Sequence, residues 1–253
     1  MRRDDLCKWF DGKLKLNDFG GDASNNGLQV EGRDEVRKAV FSVDASLRLF
    51  ELAAQKNADF VFVHHGLSWG AEPRRLTGVA ARRYRELFLR GISLYAAHLP
   101  LDAAPGFGNN AVLSRIIGLE KPEPFFNYHG VDIGFIGELT GRKTAAALKK
   151  TYDTALGGGA ALLGDAAKVC RKVAVVSGGG GLESLEESIS RGADLLVTGE
   201  LEHVMYHYAL ESGVAVLALG HYLSETTGPR ALMELAVREL QLETEFIDLP
   251  TGL

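Results

Sequence analysis

The feature that most constrains this chain is that it runs through one order of elements twice. Arg37-Lys-Ala-Val-Phe-Ser-Val43 opens an apolar run, an amphipathic stretch from Leu47 to Lys56 follows, and Ala58-Asp-Phe-Val-Phe-Val63 is the next apolar run. A helical pattern from Ala80 to Arg90 then leads into Ile92 to Ala97. The same order returns as Arg171-Lys-Val-Ala-Val-Val176, Leu182 to Arg191, Ala193-Asp-Leu-Leu-Val197, His203 to Glu211 and Val214 to Leu219. Continuous apolar runs alternating with amphipathic stretches predict strands buried on both faces between helices. The fold class is therefore α/β, with two similar α/β domains related by internal duplication. The expected division is 1–125 with 220–253 for one domain and 126–219 for the other. Between the copies, Lys121-Pro-Glu-Pro-Phe125 and Leu156-Gly-Gly-Gly-Ala160 read as linker and turn. They separate an expected helix after Asn110, a strand near Val131 to Glu138 and a helix near Thr144 to Leu156.

Composition narrows the function classes. A 253-residue chain with 46% hydrophobic residues can bury a substantial core. Its 28 Lys plus Arg against 33 Asp plus Glu give a formal charge of -5, and no long basic cluster offers a footprint for a phosphate backbone. Duplex nucleic acid is thus disfavoured as the main ligand. The two cysteines, Cys7 and Cys170, form neither a disulfide framework nor a thiolate metal motif. With no apolar leader core and no run of about 18 uncharged apolar residues, the expected setting is the cytoplasm, without a membrane.

Parallel α/β sheets gather ligands at the carboxyl ends of their strands, and the chemically capable residues stand at those ends. His64 and His65 close one apolar run, and neighbouring residues on an extended backbone point apart, which suits two adjacent metal ions better than one. His98-Leu-Pro-Leu-Asp102 and His221-Tyr-Leu-Ser-Glu225 each follow the last strand of a copy and space a His and an acid by four, which places both on one face of a helix. Imidazole and carboxylate without thiolate suit zinc, iron, manganese or nickel, and a carboxylate such as Glu225 has two oxygens that can bridge. Two ions about 3.5 to 4 Å apart clamp the two oxygens of a hydrolytic displacement. Glu200 and His203, after the second copy's middle strand, are candidates to support such a site, with Glu200 also a catalytic candidate. His129, His203 and His207 lack ligand context. The run Ser177-Gly-Gly-Gly-Gly181 suits a tight strand-to-helix turn better than a phosphate cradle, because no nucleotide-binding spacing accompanies it.

Taken in order, Asn26-Gly-Leu-Gln-Val30, His64-His-Gly66, His98-Leu-Pro-Leu-Asp102, Gly108-Asn-Asn110, Ser177-Gly-Gly-Gly180, Thr198-Gly-Glu200 and Gly220-His221 with Glu225 resemble the family of the NGG-one interacting factor three, whose bacterial members are called GTP cyclohydrolase I type 2 homologues. The resemblance covers nearly the whole chain. It implies a dinuclear metal site at the interface of the two domains, with His64 and His65 serving different ions, Asp102 and His221 completing one ion each, and Glu225 bridging. It also implies a ring-shaped homo-hexamer with the sites facing inward. This chain is too short for the inserted domain that some relatives carry. His98 belongs to the matching motif but not to the family's ligand set, while the repeat makes it the counterpart of His221; at this point it is a ligand or a second-layer, substrate-side catalytic residue. The expected activity is metal-dependent hydrolysis of a small phosphorylated or nucleotide-like substrate, GTP ring opening among the options. The alternative is a metal-binding, metal-delivery or protein-interaction scaffold without turnover.

Overall fold

The structure is a computed structural model and describes residues 1–70 and 75–253. The chain divides into two compact units, 1–104 with 229–249 and 105–228 with 250–253. The first contains α1 (Arg3–Leu14), β1 (Gly27–Val30), β2 (Lys38–Asp44), α2 (Leu47–Gln55), β3 (Phe60–His65), α3 (Gly78–Arg90), β4 (Ser93–Ala96) and α4 (Leu99–Ala103). The second contains α5 (Asn109–Ile117), β5 (Leu119–Tyr128), β6 (Val131–Thr144), α6 (Ala145–Leu156), β7 (Ala161–Leu163), β8 (Val169–Val175), α7 (Gly181–Ser190), β9 (Leu195–Thr198), α8 (Met205–Ser212), β10 (Ala215–Ala218) and α9 (His221–Ser224). The chain then returns to the first unit through α10 (Thr227–Leu240) and β11 (Glu243–Phe246).

In the first unit the sheet order is β1-β4-β3-β2-β11, parallel except for β1. Register explains why these strands are apolar on both faces. Val40, Val61 and Leu94 lie side by side and pack with Leu49 and Phe50 of α2 and Leu87 of α3. Phe41, Phe62 and Tyr95, one residue along, form the other face, where the Phe10 ring of α1 lies edge-on to Phe41 at 6.1 Å and tilted against Phe62 and Tyr95 at 5.0 Å each. Period-two geometry thus divides one apolar run between two cores.

The second sheet runs β5-β6-β8-β9-β10-β7, with β8, β9 and β10 parallel. The repeat is visible as β2-α2-β3-α3-β4 against β8-α7-β9-α8-β10. Its most conspicuous sequence mark, Arg-Lys at the first strand and Ala-Asp before the second, has one physical cause in both units. Asp59 Oδ2 accepts from the backbone N–H groups of Arg37 (2.9 Å) and Lys38 (3.4 Å), and Asp194 Oδ2 accepts from Arg171 (2.8 Å) and Lys172 (3.0 Å). The aspartate satisfies donors just before the parallel pairing of the two strands begins, at Ala39 in one unit and Val173 in the other. Gly91 and Gly213 close α3 and α8 at φ +64° and +74°, a left-handed turn that a Cβ would strain.

The domain boundaries differ from those expected from the sequence. Residues 105–125 belong with the second unit because Leu113 and Ile117 of α5 are buried with Leu148 and Tyr152 of α6, and Tyr152 Oη donates to Leu113 O at 3.0 Å. Residues 220–228 also belong there, since Gly220 N donates to Gly199 O at 2.9 Å and Gly228 N to Asn109 Oδ1 at 2.6 Å. The Pro-spaced segment read as linker is instead β5; it is an edge strand, where Pro122 and Pro124 need supply no ladder N–H on the open side. No helix among the described residues is long and apolar enough to cross a membrane.

Candidate metal centre

In the first unit three parallel strands lead to candidate metal-binding side chains or their partners. β3 ends in His64 and His65, β2 ends in Asp44, whose register partner is His65, and His98 follows β4. His64 is fully buried and its Nδ1 lies 2.9 Å from Ala97 O. A carbonyl can only accept, so Nδ1 carries the proton and Nε2 is the basic nitrogen, 3.5 Å from Asp102 Oδ2. His65 Nδ1 donates to Asp44 Oδ1 at 2.7 Å and His98 Nδ1 to Asp22 Oδ1 at 2.9 Å, which selects the same tautomer in both. The three rings are 4.5, 5.1 and 5.6 Å apart, and their ligand-capable nitrogens lie within 4.8 Å of one another. Asp102, on α4 with only 5% of its surface exposed, adds a carboxylate.

The segment before β1 holds this arrangement. Asp22 accepts four hydrogen bonds: Ser24 N (2.9 Å) and His98 Nδ1 on Oδ1, Asn26 Nδ2 (2.8 Å) and Leu99 N (3.1 Å) on Oδ2. That fills a carboxylate's acceptor capacity. Burial works to raise the Asp22 pKa, but the bond and charge of His98 and the donors Asn26 and Ser24 bring it below the ordinary value. Asn26 Oδ1 also accepts from His98 N at 2.8 Å, and Gln29 Oε1 accepts from Leu67 N (2.7 Å) and Ser68 N (3.2 Å). Asn26-Gly-Leu-Gln29 therefore braces the loops that carry the histidines. Gly66 is required by that bracing, because a Cβ there would stand 2.6 Å from the Cβ of Ala96.

In the second unit His221 opens α9 after β10. Its Nδ1 is 2.5 Å from Glu200 Oε1, beyond the end of β9, and its Nε2 is 3.2 Å from Glu225 Oε2 one helical turn on. Glu225 is 3% exposed. The Glu225 carboxylate first, opposed by burial and helped by Glu200, raises the His221 pKa to about 9. The glycine run serves close approach: Gly178, at φ +63°, has no room for a Cβ against the Glu225 carboxylate, and its N–H donates to Ser224 Oγ at 3.0 Å. Gly178 O in turn accepts from Gly199 N (2.9 Å) and Glu200 N (3.1 Å), which sets Glu200 behind His221.

The predicted residues thus fall into two groups. His64, His65, His98 and Asp102 come together in the first unit, and His221, Glu225 and Glu200 in the second. His203, on the turn before α8, is exposed, as are His129 and His207. Sequence reasoning missed Asp22 and Asp44. Asp44 was open to inference as the acid ending the strand beside the His64-His65 strand; Asp22, in a loop far from His98 in sequence, left no such signal.

Metal-binding imidazoles use one nitrogen for the ion and donate the other N–H to a carboxylate or carbonyl, which orients the ring and raises its basicity. All four histidines meet that requirement at Nδ1, through Ala97 O, Asp44, Asp22 and Glu200. With the buried Asp102 in the first unit and the buried Glu225 in the second, the residue types in each unit could bind a divalent metal.

A family profile described as Duf34/NIF3 (NGG1p interacting factor 3) matches residues 1–251. The chain is 45% identical to a GTP cyclohydrolase 1 type 2 homolog of Archaeoglobus fulgidus and 43% identical to one of Pyrococcus horikoshii, each alignment covering 100% of both chains. It superposes on the crystal structure of TTHA1606 from Thermus thermophilus with a TM-score of 0.91 at 38% identity, again over the whole of both chains.

Proposed function

Because the chain belongs to the Duf34/NIF3 family, we propose that it is a metal-dependent hydrolase of a small phosphorylated or nucleotide-like substrate, with two divalent ions held by His64, His65, Asp102, His221 and Glu225. The observation that carries the reading is the common state of the imidazoles. Each has its Nδ1 proton committed to an oxygen acceptor, so that Nε2 is the donor nitrogen. In this reading Asp44 and Glu200 orient their histidines, Glu225 would supply a carboxylate to both ions, and Asp22 holds His98 on the substrate side. When bound, the ions supply Lewis-acid polarisation of the scissile bond and of the attacking water. The protein's part is to keep the donor rings in one tautomer and to brace their loops through Asn26 and Gln29.

Elemental analysis of protein purified without added metal tests the site: two ions per chain are expected, and folded protein that has met no chelator yet holds none would overturn it. The activity is tested separately with protein replete in zinc, iron, manganese or nickel against phosphoester, nucleotide and amide substrates. GTP belongs in that set because of the relatives' name, and ring opening would appear as pterin-type fluorescence. Full metal occupancy with no turnover of any substrate rejects the hydrolase and leaves a metal-holding protein. The homo-hexamer rests on the family relationship alone and is checked by sedimentation.

A further inference from the structure

The two tryptophans of the chain are treated in opposite ways. Trp9 lies against Phe10 at 5.2 Å, has Lys13 Nζ 5.5 Å from its ring centre, and donates through Nε1 to Glu239 Oε2 at 3.1 Å. Trp69 is 38% exposed and yet held at several points. Its Nε1 donates to Gly66 O at 3.0 Å, its backbone forms an isolated antiparallel bridge with Ser24, and the next N–H, of Gly70, donates to Ala23 O at 2.6 Å. The indole stands edge-on to His98, 5.0 Å between ring centres at 70°, and 6.0 Å from His65. Leaving over a third of so large an apolar residue in water forgoes part of the gain of burying it, and pinning it there removes the freedom that would offset the loss. A pinned, partly exposed indole beside the histidines is a surface prepared for a flat partner.

We propose that Trp69 is a wall of the substrate pocket, against which a planar aromatic or heteroaromatic ring stacks while the group to be hydrolysed lies at the metal-binding histidines. The inference rests on the metal-dependent hydrolase reading and narrows its substrate to ring-bearing compounds. Stacking on an aromatic side chain tolerates any flat ring, so the wall selects the class and not the individual base. Trp69 makes no contact with a reacting atom in this arrangement; it sets affinity and specificity.

The test uses full-length, metal-loaded Trp9→Phe protein, in which Trp69 is the only tryptophan. Adenosine 5′-monophosphate, uridine 5′-monophosphate and p-nitrophenyl phosphate are titrated against the ring-free ribose 5-phosphate and glycerol phosphate. The expected result is quenching of Trp69 emission by the ring-bearing probes and a Kd lower by about tenfold or more than for the ring-free ones. Trp69→Leu, which keeps apolar bulk without a π face, and Trp69→Ala should both erase that preference while metal content stays at the wild-type level. No ring-bearing probe binding better than the ring-free ones overturns the inference, as does a preference that survives Trp69→Leu. So does Trp69 emission that changes with protein concentration in place of ligand, which means that a second copy covers the indole. Elemental analysis of the same samples separates the two failures: protein without metal overturns the proposed function, whereas metal-replete protein without ring preference overturns only the wall.

Discussion

The two units build the amino ends of their strands alike and the carboxyl ends differently. At the amino ends Asp59 and Asp194 cap the neighbouring strand by the same pair of backbone hydrogen bonds. At the carboxyl ends the first unit offers His64, His65 and His98 with Asp102 at the Nε2 side of His64, and the second offers His221 between Glu200 and Glu225. His98 and His221 follow equivalent strands, but the partner of Nδ1 comes from the segment before β1 in one and from the end of β9 in the other. Strand pairing imposes one solution on both copies, whereas the loops beyond the strands are free to diverge. The candidate donors differ accordingly.

The largest expected effect breaks the symmetry of the cores. Phe10 sits among four aromatic rings of the first sheet, and Phe10→Ala should lower unfolding free energy by about 3–5 kcal/mol in urea titration. A loss under about 1 kcal/mol would mean that α1 is not integral to that unit. Next come the residues behind the histidines. Asp44→Asn and Glu200→Gln should each weaken metal affinity by roughly 10- to 100-fold, measured by competition with a chromogenic chelator, without unfolding the protein. Unchanged affinity in both would remove the orienting role and, with it, the strongest support for the metal site.

A smaller effect tests the likeness directly. Asp59→Ala and Asp194→Ala each remove an acceptor from two backbone donors and should cost about 1 to 1.5 kcal/mol apiece, by the same denaturation measurement. Equal costs sharpen the duplication; a cost for one alone breaks it. The smallest effect is a pH slope. In the metal-free protein the His221 pKa, raised to about 9, exceeds the unfolded value of about 6.5. The folded state therefore binds more protons between those values, so this stabilisation is complete below about pH 6.5 and is lost as pH rises through 9. Glu225→Gln should flatten most of the slope between pH 7 and 9, and Glu200→Gln should reduce it by less. Because a metal must displace that proton, loading at pH 7.5 should release close to one proton per chain at this histidine, measurable by calorimetry in buffers of different ionisation enthalpy.

Much of this was legible in the residue order. The apolar runs fell where β2, β3, β4, β8, β9 and β10 form, and the candidate donor residues fell at or just beyond their carboxyl ends. β5 was not legible, because Pro122 and Pro124 argue against a strand until the sheet order shows it to lie at an edge. The domain boundaries also escaped, since nothing local marks Leu113 and Ile117 as partners of α6 and not of the helix before them.

By itself the sequence determined the fold class and the repeated order of elements and marked the candidate donor residues, because strand periodicity, the Arg-Lys and Ala-Asp marks and the His-x-x-x-acid spacing are all short-range. Only the tertiary structure decided which oxygen holds each imidazole. Asp44 meets His65 through the pairing of two strands, Glu200 reaches His221 across 21 residues, and Asp22 reaches His98 across 76. Those contacts exist once the loops have been packed by Gln29, Gly66 and Gly178, and a tautomer set by a distant carboxylate leaves no periodic trace in the chain.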